Sequence, residues 1–78
     1  MKITIKYFGM LAEATTIAEE HLQTEVCSIF ELVEKLKIQY PKLANVNFKV
    51  AVDQQLADFN HIIYDNAEIA LLPPFAGG

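Results

Sequence analysis

Only one stretch of this chain can form a long helix, and the rest must be arranged around it. Ser28-Ile29-Phe30-Glu31 is a capping-box pattern: the serine hydroxyl accepts from an orphan backbone N–H and the glutamate reaches back to the cap. From there to Tyr40, the residues Ile29, Leu32, Val33, Leu36 and Tyr40 recur at helical spacing and make one apolar stripe. Cys27 and Leu32 are placed to staple the helix start, and Glu31 and Lys35 to form a surface ion pair. Pro41 stops the helix, since it has no N–H to donate. A helix with one apolar stripe needs one apolar surface to lie on.

The remaining segments are short and alternate. In Lys2 to Phe8, Ile3, Ile5 and Tyr7 fall on one face and Lys2, Thr4, Lys6 and Phe8 on the other, the period of a half-buried strand. Phe8 is the odd member, because it shares its face with lysines. Gly9 ends the strand, and Met10 to Ala14 fits a short helical turn with Leu11 inward. Thr16 to Thr24 is a weaker edge strand in a hairpin with the first, its Glu19, Glu20 and His21 solvated. Phe48, Val50 and Val52 alternate again, Asp53-Gln54-Gln55 makes a turn, and Leu56-Ala57 starts a short return. Ile62 and Ile63 are expected in the core, followed by a turn at Asp65-Asn66 with Asn66 left-handed. In Glu68 to Leu72, Ile69 and Leu71 point inward and Glu68, Ala70 and Leu72 outward. The expected fold is α+β, a mixed sheet with the main helix across one face. The first and last strands lie side by side and parallel, because the connection between them crosses the sheet.

Composition removes several function classes. The 78 residues form a single domain, and with 53% of them hydrophobic it builds a core without staples. A net charge of −4 speaks against nucleic acid, which needs clustered Lys and Arg, and slightly favours a basic protein partner. The single cysteine, the lack of a signal peptide before the first strand and the lack of a membrane-length apolar run point to a soluble cytoplasmic protein. His21 and His61 are isolated, so no metal is expected. Cys27 is expected to be a small packing residue, and Asp53, Asp58 and Asp65 to cap turns. No Gly-rich loop cradles a phosphate, so the chain is not expected to bind ATP itself.

The chemistry is concentrated at the end: Leu71-Leu72-Pro73-Pro74-Phe75-Ala76-Gly77-Gly78. The double proline halts the last strand and starts a stiff, extended arm. Fully extended, residues 73–78 reach roughly 20 Å. Gly77 and Gly78 carry no side chain, so the tip can enter a narrow slot and deliver the Gly78 carboxylate. Phe8, Leu72 and Leu56 on the outward sheet face, with Phe75 continuing onto the arm, form a candidate docking surface. A carboxylate becomes reactive only when activated, most simply as an acyl adenylate made by another protein. The residues alone do not separate sulfur transfer from protein conjugation.

The element order and the ending together resemble the MoaD/ThiS family of ubiquitin-like sulfur carriers, over essentially the whole chain. The resemblance rests on Ile3 to Gly9 with Tyr7-Phe8, on Ala51-Val52-Asp53-Gln54, and above all on Asp65-Asn66-Ala67-Glu68-Ile69-Ala70 running on to Pro73-Pro74-Phe75-Ala76-Gly77-Gly78. The Pro-Pro ahead of Gly-Gly favours the branch of molybdopterin synthase small subunits over thiamine-pathway carriers. Asn66-Ala67 replaces the usual Gly-Asp turn, and Asp53 stands where Asn is common. The resemblance implies a β-grasp (ubiquitin-like) fold with a flexible C-terminal Gly-Gly tail. It also implies that a MoeB-like, E1-like enzyme adenylates Gly78 with ATP-Mg, and that a sulfur donor converts it to a thiocarboxylate. The arm, with Pro73, Pro74, Phe75, Ala76 and Gly77, then enters a MoaE-like large subunit, and the sulfur passes to cyclic pyranopterin monophosphate. Phe8, Leu56 and Leu72 match the family's partner contacts. The alternatives are a carrier for thiamine or another pathway, and a ubiquitin-like modifier or interaction module.

Overall fold

Strands form where apolar residues alternate, because a period-two apolar face is buried on one side only in extended backbone. The computed structural model describes residues 1–75. It contains β1 (Lys2–Tyr7), α1 (Met10–Thr15), β2 (Glu19–Gln23), α2 (Ile29–Gln39), a 3-10 helix (Pro41–Asn45), β3 (Lys49–Val52), β4 (Gln55–Ala57) and β5 (Glu68–Leu72). One sheet runs in the order β2-β1-β5-β3-β4. β1 and β5 are parallel, and the β1–β2, β3–β5 and β3–β4 pairs are antiparallel. The α2 stripe residues Ile29, Leu32, Val33 and Leu36 share one buried core with Ile3, Ile5, Tyr7, Val50, Val52, Ile69 and Leu71. Leu11 of α1 and Leu43 of the 3-10 helix join this core and are fully buried.

Local chemistry sets the boundaries. Ser28 is the N-cap of α2, its hydroxyl accepting from the Glu31 N–H at 3.2 Å. The second half of the expected capping box does not form: the Ser28 hydroxyl instead donates to the Glu31 carboxylate at 3.4 Å. Asp53 and Gln54 both have positive φ, 48° and 72°, which makes the two-residue β3–β4 hairpin a primed turn. Asp53 also clamps β5: its N–H donates to the Glu68 carbonyl and its Oδ1 accepts from the Glu68 N–H. An asparagine there offers the same Oδ1, so the departure from the family pattern leaves this bond intact. Asn66 is left-handed at φ 67°, as expected, and its N–H donates to the Lys2 carbonyl. Asp58 and Asp65 cap too, accepting from the N–H of Asn60 and Lys2.

Four further expectations are corrected. Ile62 is 65% exposed and only Ile63 is buried, because the extended segment bridging Ser28 turns neighbouring side chains to opposite sides. Cys27 is exposed rather than packed, its carbonyl accepting from the Ile63 N–H while its side chain faces out; it forms no staple. Lys35 donates to the Thr24 hydroxyl at 3.3 Å rather than pairing with Glu31. Glu20 is half-buried, since its register with Ile5 turns it to the core side of β2. Pro41 stops α2 as expected and also starts the 3-10 helix, a position where its missing N–H is not needed.

Candidate docking face and C-terminal arm

The register of β1 against β5 builds the outward face. Tyr7 lies opposite Leu71 with both side chains buried, so the following residues, Phe8 and Leu72, come side by side on the other face. The Phe8 N–H donates to the Leu71 carbonyl at 3.1 Å, carrying the ladder one residue past β1. Phe8 is 45% exposed and Leu72 is half-buried. Across the sheet, Lys6 faces Ala70, Ala70 faces Ala51, and Ala51 faces Leu56 on the edge strand. Leu56 is 54% exposed, whereas the two alanines are nearly buried although they point away from α2. Methyl groups between larger neighbours make a shallow floor, with Phe8 and Leu72 on one side and Leu56 on the other. Of the candidate contact residues, the structure therefore brings Phe8, Leu72 and Leu56 onto one face.

Charge borders this floor. Lys6 pairs with Glu68 at 3.3 Å, and Lys49 lies beside Leu72 in the register. The arm leaves where β1 and β5 end together. Pro73 is half-buried and lies against Gly9, while Pro74 and Phe75 are exposed and lie in a turn, so as far as Phe75 the chain is not the straight extended arm expected of it. Phe75 is 74% exposed. Ala76, Gly77 and Gly78, including the expected reactive terminus, lie outside the described residues.

A part-buried clasp holds the C-terminal end of β1, and sequence reasoning missed it. Tyr7 and Tyr40 both donate to Glu20 Oε2, at 2.6 and 2.8 Å, with their rings edge to face at 6.0 Å. Burial pushes the Tyr7 phenol far above its ordinary range, and the hydrogen bond to Glu20 and the glutamate charge push it further. The same causes in the same order raise Tyr40. One carboxylate thus ties β1, β2 and the end of α2 together through Tyr7, the residue before Phe8. The available signal was the register: pairing the hairpin through Ile5 places Glu20, not Glu19, on the inner face.

Among the described residues no group of three or more His, Cys, Asp and Glu is placed to hold a metal ion. No helix among them is long and apolar enough to cross a membrane. The face and the arm can grip a partner and present a chain end to it.

Comparison with known proteins accords with this geometry. The molybdopterin synthase sulfur carrier subunit of Mycobacterium tuberculosis is 32% identical over 82 residues, covering 100% of this chain and 99% of that protein. A Pyrococcus furiosus chain assigned as subunit 1 of a molybdopterin converting factor superposes with TM-score 0.86 at 18% identity, covering 95% of this chain and 98% of that one. SAMP1 of Haloferax volcanii superposes with TM-score 0.81 at 19% identity, with 100% of both chains covered. A complex of subunits 1 and 2 of the Helicobacter pylori molybdopterin-converting factor gives TM-score 0.69 at 23% identity, again over 100% of both chains. At these identities the three structures bear on the fold alone, which is the ubiquitin-like β-grasp. The family model described as the ThiS family matches residues 5–78, nearly the whole length, and the chain therefore belongs to that family.

Proposed function

We propose that this chain is the sulfur-carrier small subunit of a molybdopterin synthase. The observation that supports this reading most is the alignment with the M. tuberculosis carrier over 100% of the chain at 32% identity. In this reading the Gly78 carboxylate attacks the α-phosphorus of ATP-Mg held by a MoeB-like enzyme, pyrophosphate leaves, and an acyl adenylate forms. Hydrosulfide released by a sulfur donor then attacks the acyl carbon, the C–O bond to AMP breaks, and loss of the S–H proton leaves the terminus as a thiocarboxylate. Phe8, Leu56 and Leu72 dock on a MoaE-like large subunit, and the arm through Pro73, Pro74, Phe75, Ala76 and Gly77 carries the sulfur to cyclic pyranopterin monophosphate. The sulfur bonds to the pterin, water cleaves the resulting thioester at its acyl C–S bond, and the terminus returns to a carboxylate ready for recharging. Docking outside the core and delivering only a main-chain end lets one small domain serve two enzymes in turn. The domain itself needs no bound cofactor, because ATP and the pterin stay in its partners.

The test is reconstitution. The chain is incubated with the adenylating enzyme, ATP-Mg and a sulfur source, and its intact mass is measured. One oxygen replaced by one sulfur at the C-terminus is the expected result, and an unchanged mass rejects the carrier reading. Adding the large subunit and the pterin precursor should then consume the thiocarboxylate; a thiocarboxylate that persists points to another acceptor. Deleting Gly78 should abolish charging and leave the unfolding midpoint where it was.

A further inference from the structure

Gly9 departs from what its neighbours need. Its φ is 57° and its ψ −127°, a mirror-image extended conformation essentially open only to glycine. It stands at the start of α1 but supplies no capping side chain. A Cβ built on it would lie 3.1 Å from Cγ of Pro73 and 4.0 Å from its Cδ. The proline ring therefore sits against bare backbone, in a notch that any side chain at Gly9 would fill. Both members of this contact lie at the mouth of the arm. The last bond of the β1–β5 ladder, Phe8 N–H to the Leu71 carbonyl, comes immediately before Gly9 on one side and two residues before Pro73 on the other. Pro73 cannot extend the ladder, having no N–H, and its ring fixes its own φ.

We infer that Gly9 is a positioning residue: it seats the Pro73 ring and so sets the direction in which the arm leaves the docking face. This rests on the reading of the arm as the part that an adenylating enzyme must receive. A partner that grips Phe8, Leu56 and Leu72 holds the domain in one orientation, and the tip then has to arrive at one place. A small rotation at Pro73, the root of the arm, displaces the residues that follow it by more the farther they lie from it. Misplacement of a reacting group by about 1 Å can cost about a hundredfold in rate. The notch governs arrival, not grip, so its loss should appear in kcat for adenylation with KM for the carrier held.

The experiment is a double-mutant cycle with Gly9→Ala and Pro73→Ala, read by adenylation kinetics and by thermal unfolding. Gly9→Ala introduces two disturbances: a strained φ, which is independent of residue 73, and a Cβ against the proline ring, which vanishes once the ring is gone. The expected result is about a tenfold fall in kcat for Gly9→Ala beside Pro73, shrinking to within about twofold in the Pro73→Ala background, as for residues in direct contact. KM holds throughout, and Gly9→Ala lowers the unfolding midpoint in both backgrounds, because the strained φ remains when the ring is gone. Pro73→Ala alone, which keeps the native Gly9, should lower kcat about tenfold while moving the unfolding midpoint only slightly, through the freer unfolded chain. Nuclear Overhauser contacts between the Gly9 Hα and Pro73 Hγ protons are expected in the unaltered chain. A fall in kcat that is equal in both backgrounds, an unchanged kcat, or missing Overhauser contacts would overturn the seat while leaving the carrier reading in place. An unaltered chain that the enzyme does not charge brings down the carrier reading, and this inference with it.

Discussion

The two faces of the sheet are built from the same strands in alternation, yet they are finished differently. On the inner face Ile3, Ile5, Tyr7, Val50, Ile69 and Leu71 meet the α2 stripe and lose nearly all contact with solvent. On the outer face Phe8, Leu72 and Leu56 surround two shaded alanines, and no element of the chain among its described residues covers Phe8 or Leu56. Adjacent residues such as Leu71 and Leu72 are chemically identical and differ by one step of the pleat. The first stabilises the fold, and the second, in the proposed reading, is left for a partner. The difference shows that hydrophobicity alone does not assign a role here; the parity of the position does.

The sharpest way to break that contrast is to truncate one residue on each face. Leu71→Ala should cost about 2–5 kcal/mol, as for fully buried leucines elsewhere. For a chain of this length the total stability is on the order of 4–12 kcal/mol, so urea unfolding will show a large drop in midpoint. Phe8→Ala should cost less than about 1 kcal/mol of stability, because the ring is half in solvent already. Its effect belongs to binding, where loss of a docked aromatic is worth about 2 kcal/mol, or roughly thirtyfold in Kd for the large subunit. Titration calorimetry on the folded proteins measures that term. A Phe8→Ala variant that unfolds more readily than it loses its partner would move Phe8 to the inner face in energetic terms and erase the contrast.

How much of this could be read before the structure follows from the same parity. β1 and β5 were legible because each alternates over five or more residues, and the position of Phe8 followed from counting. The α2 stripe, its serine cap and the left-handed Asn66 were legible because their causes are local. Ile62 and Ile63 were not: an isolated pair has no phase, and only the bridge to Ser28 decides which of the two faces in. Glu20 was misplaced for a related reason. Its partners Tyr7 and Tyr40 are 13 and 20 residues away, and no local pattern announces an acid on the core side of an edge strand. The Gly9 notch was equally silent, because it joins two chain segments that only the parallel β1–β5 pairing brings together.

The Glu20 clasp sharpens the comparison from the inner side, with a smaller effect. Tyr7 and Tyr40 have raised pKa values in the folded protein, through burial first and then Glu20. The unfolded chain releases these protons near pH 10, the ordinary tyrosine value, while the folded chain still holds them. The folded state therefore binds more protons above about pH 10, so the stability contribution is complete below that value and is lost as pH rises toward the folded pKa. Unfolding midpoints should be flat in this term from neutral pH to about pH 9 and fall beyond pH 10. Glu20→Gln keeps an acceptor but removes the charge. It should cost about 1 kcal/mol at neutral pH and make the alkaline fall shallower. Partner affinity should hold, since the clasp lies beneath the docking face and not on it; a matching loss of affinity would mean that β1 carries strain through to Phe8.

The smallest effect is expected from the Lys6–Glu68 pair, and it tests the outer face where that face is polar. At 3.3 Å, with side chains about a third exposed (36% and 35%), the pair belongs to the class worth about 0–1 kcal/mol, because water and salt screen it. Glu68→Gln should leave the unfolding midpoint nearly unchanged. It leaves Lys6 without its carboxylate beside the apolar floor and makes an acidic domain, of net charge −4, less acidic by one. Charges at the rim of a docking surface act mainly on the rate of encounter. Stopped-flow association with the large subunit should therefore slow by about twofold at low salt, converge with the unaltered chain at high salt, and show the same dissociation rate. A faster dissociation would place the pair inside the contact, and the boundary between floor and rim would then have to be drawn beyond Lys6.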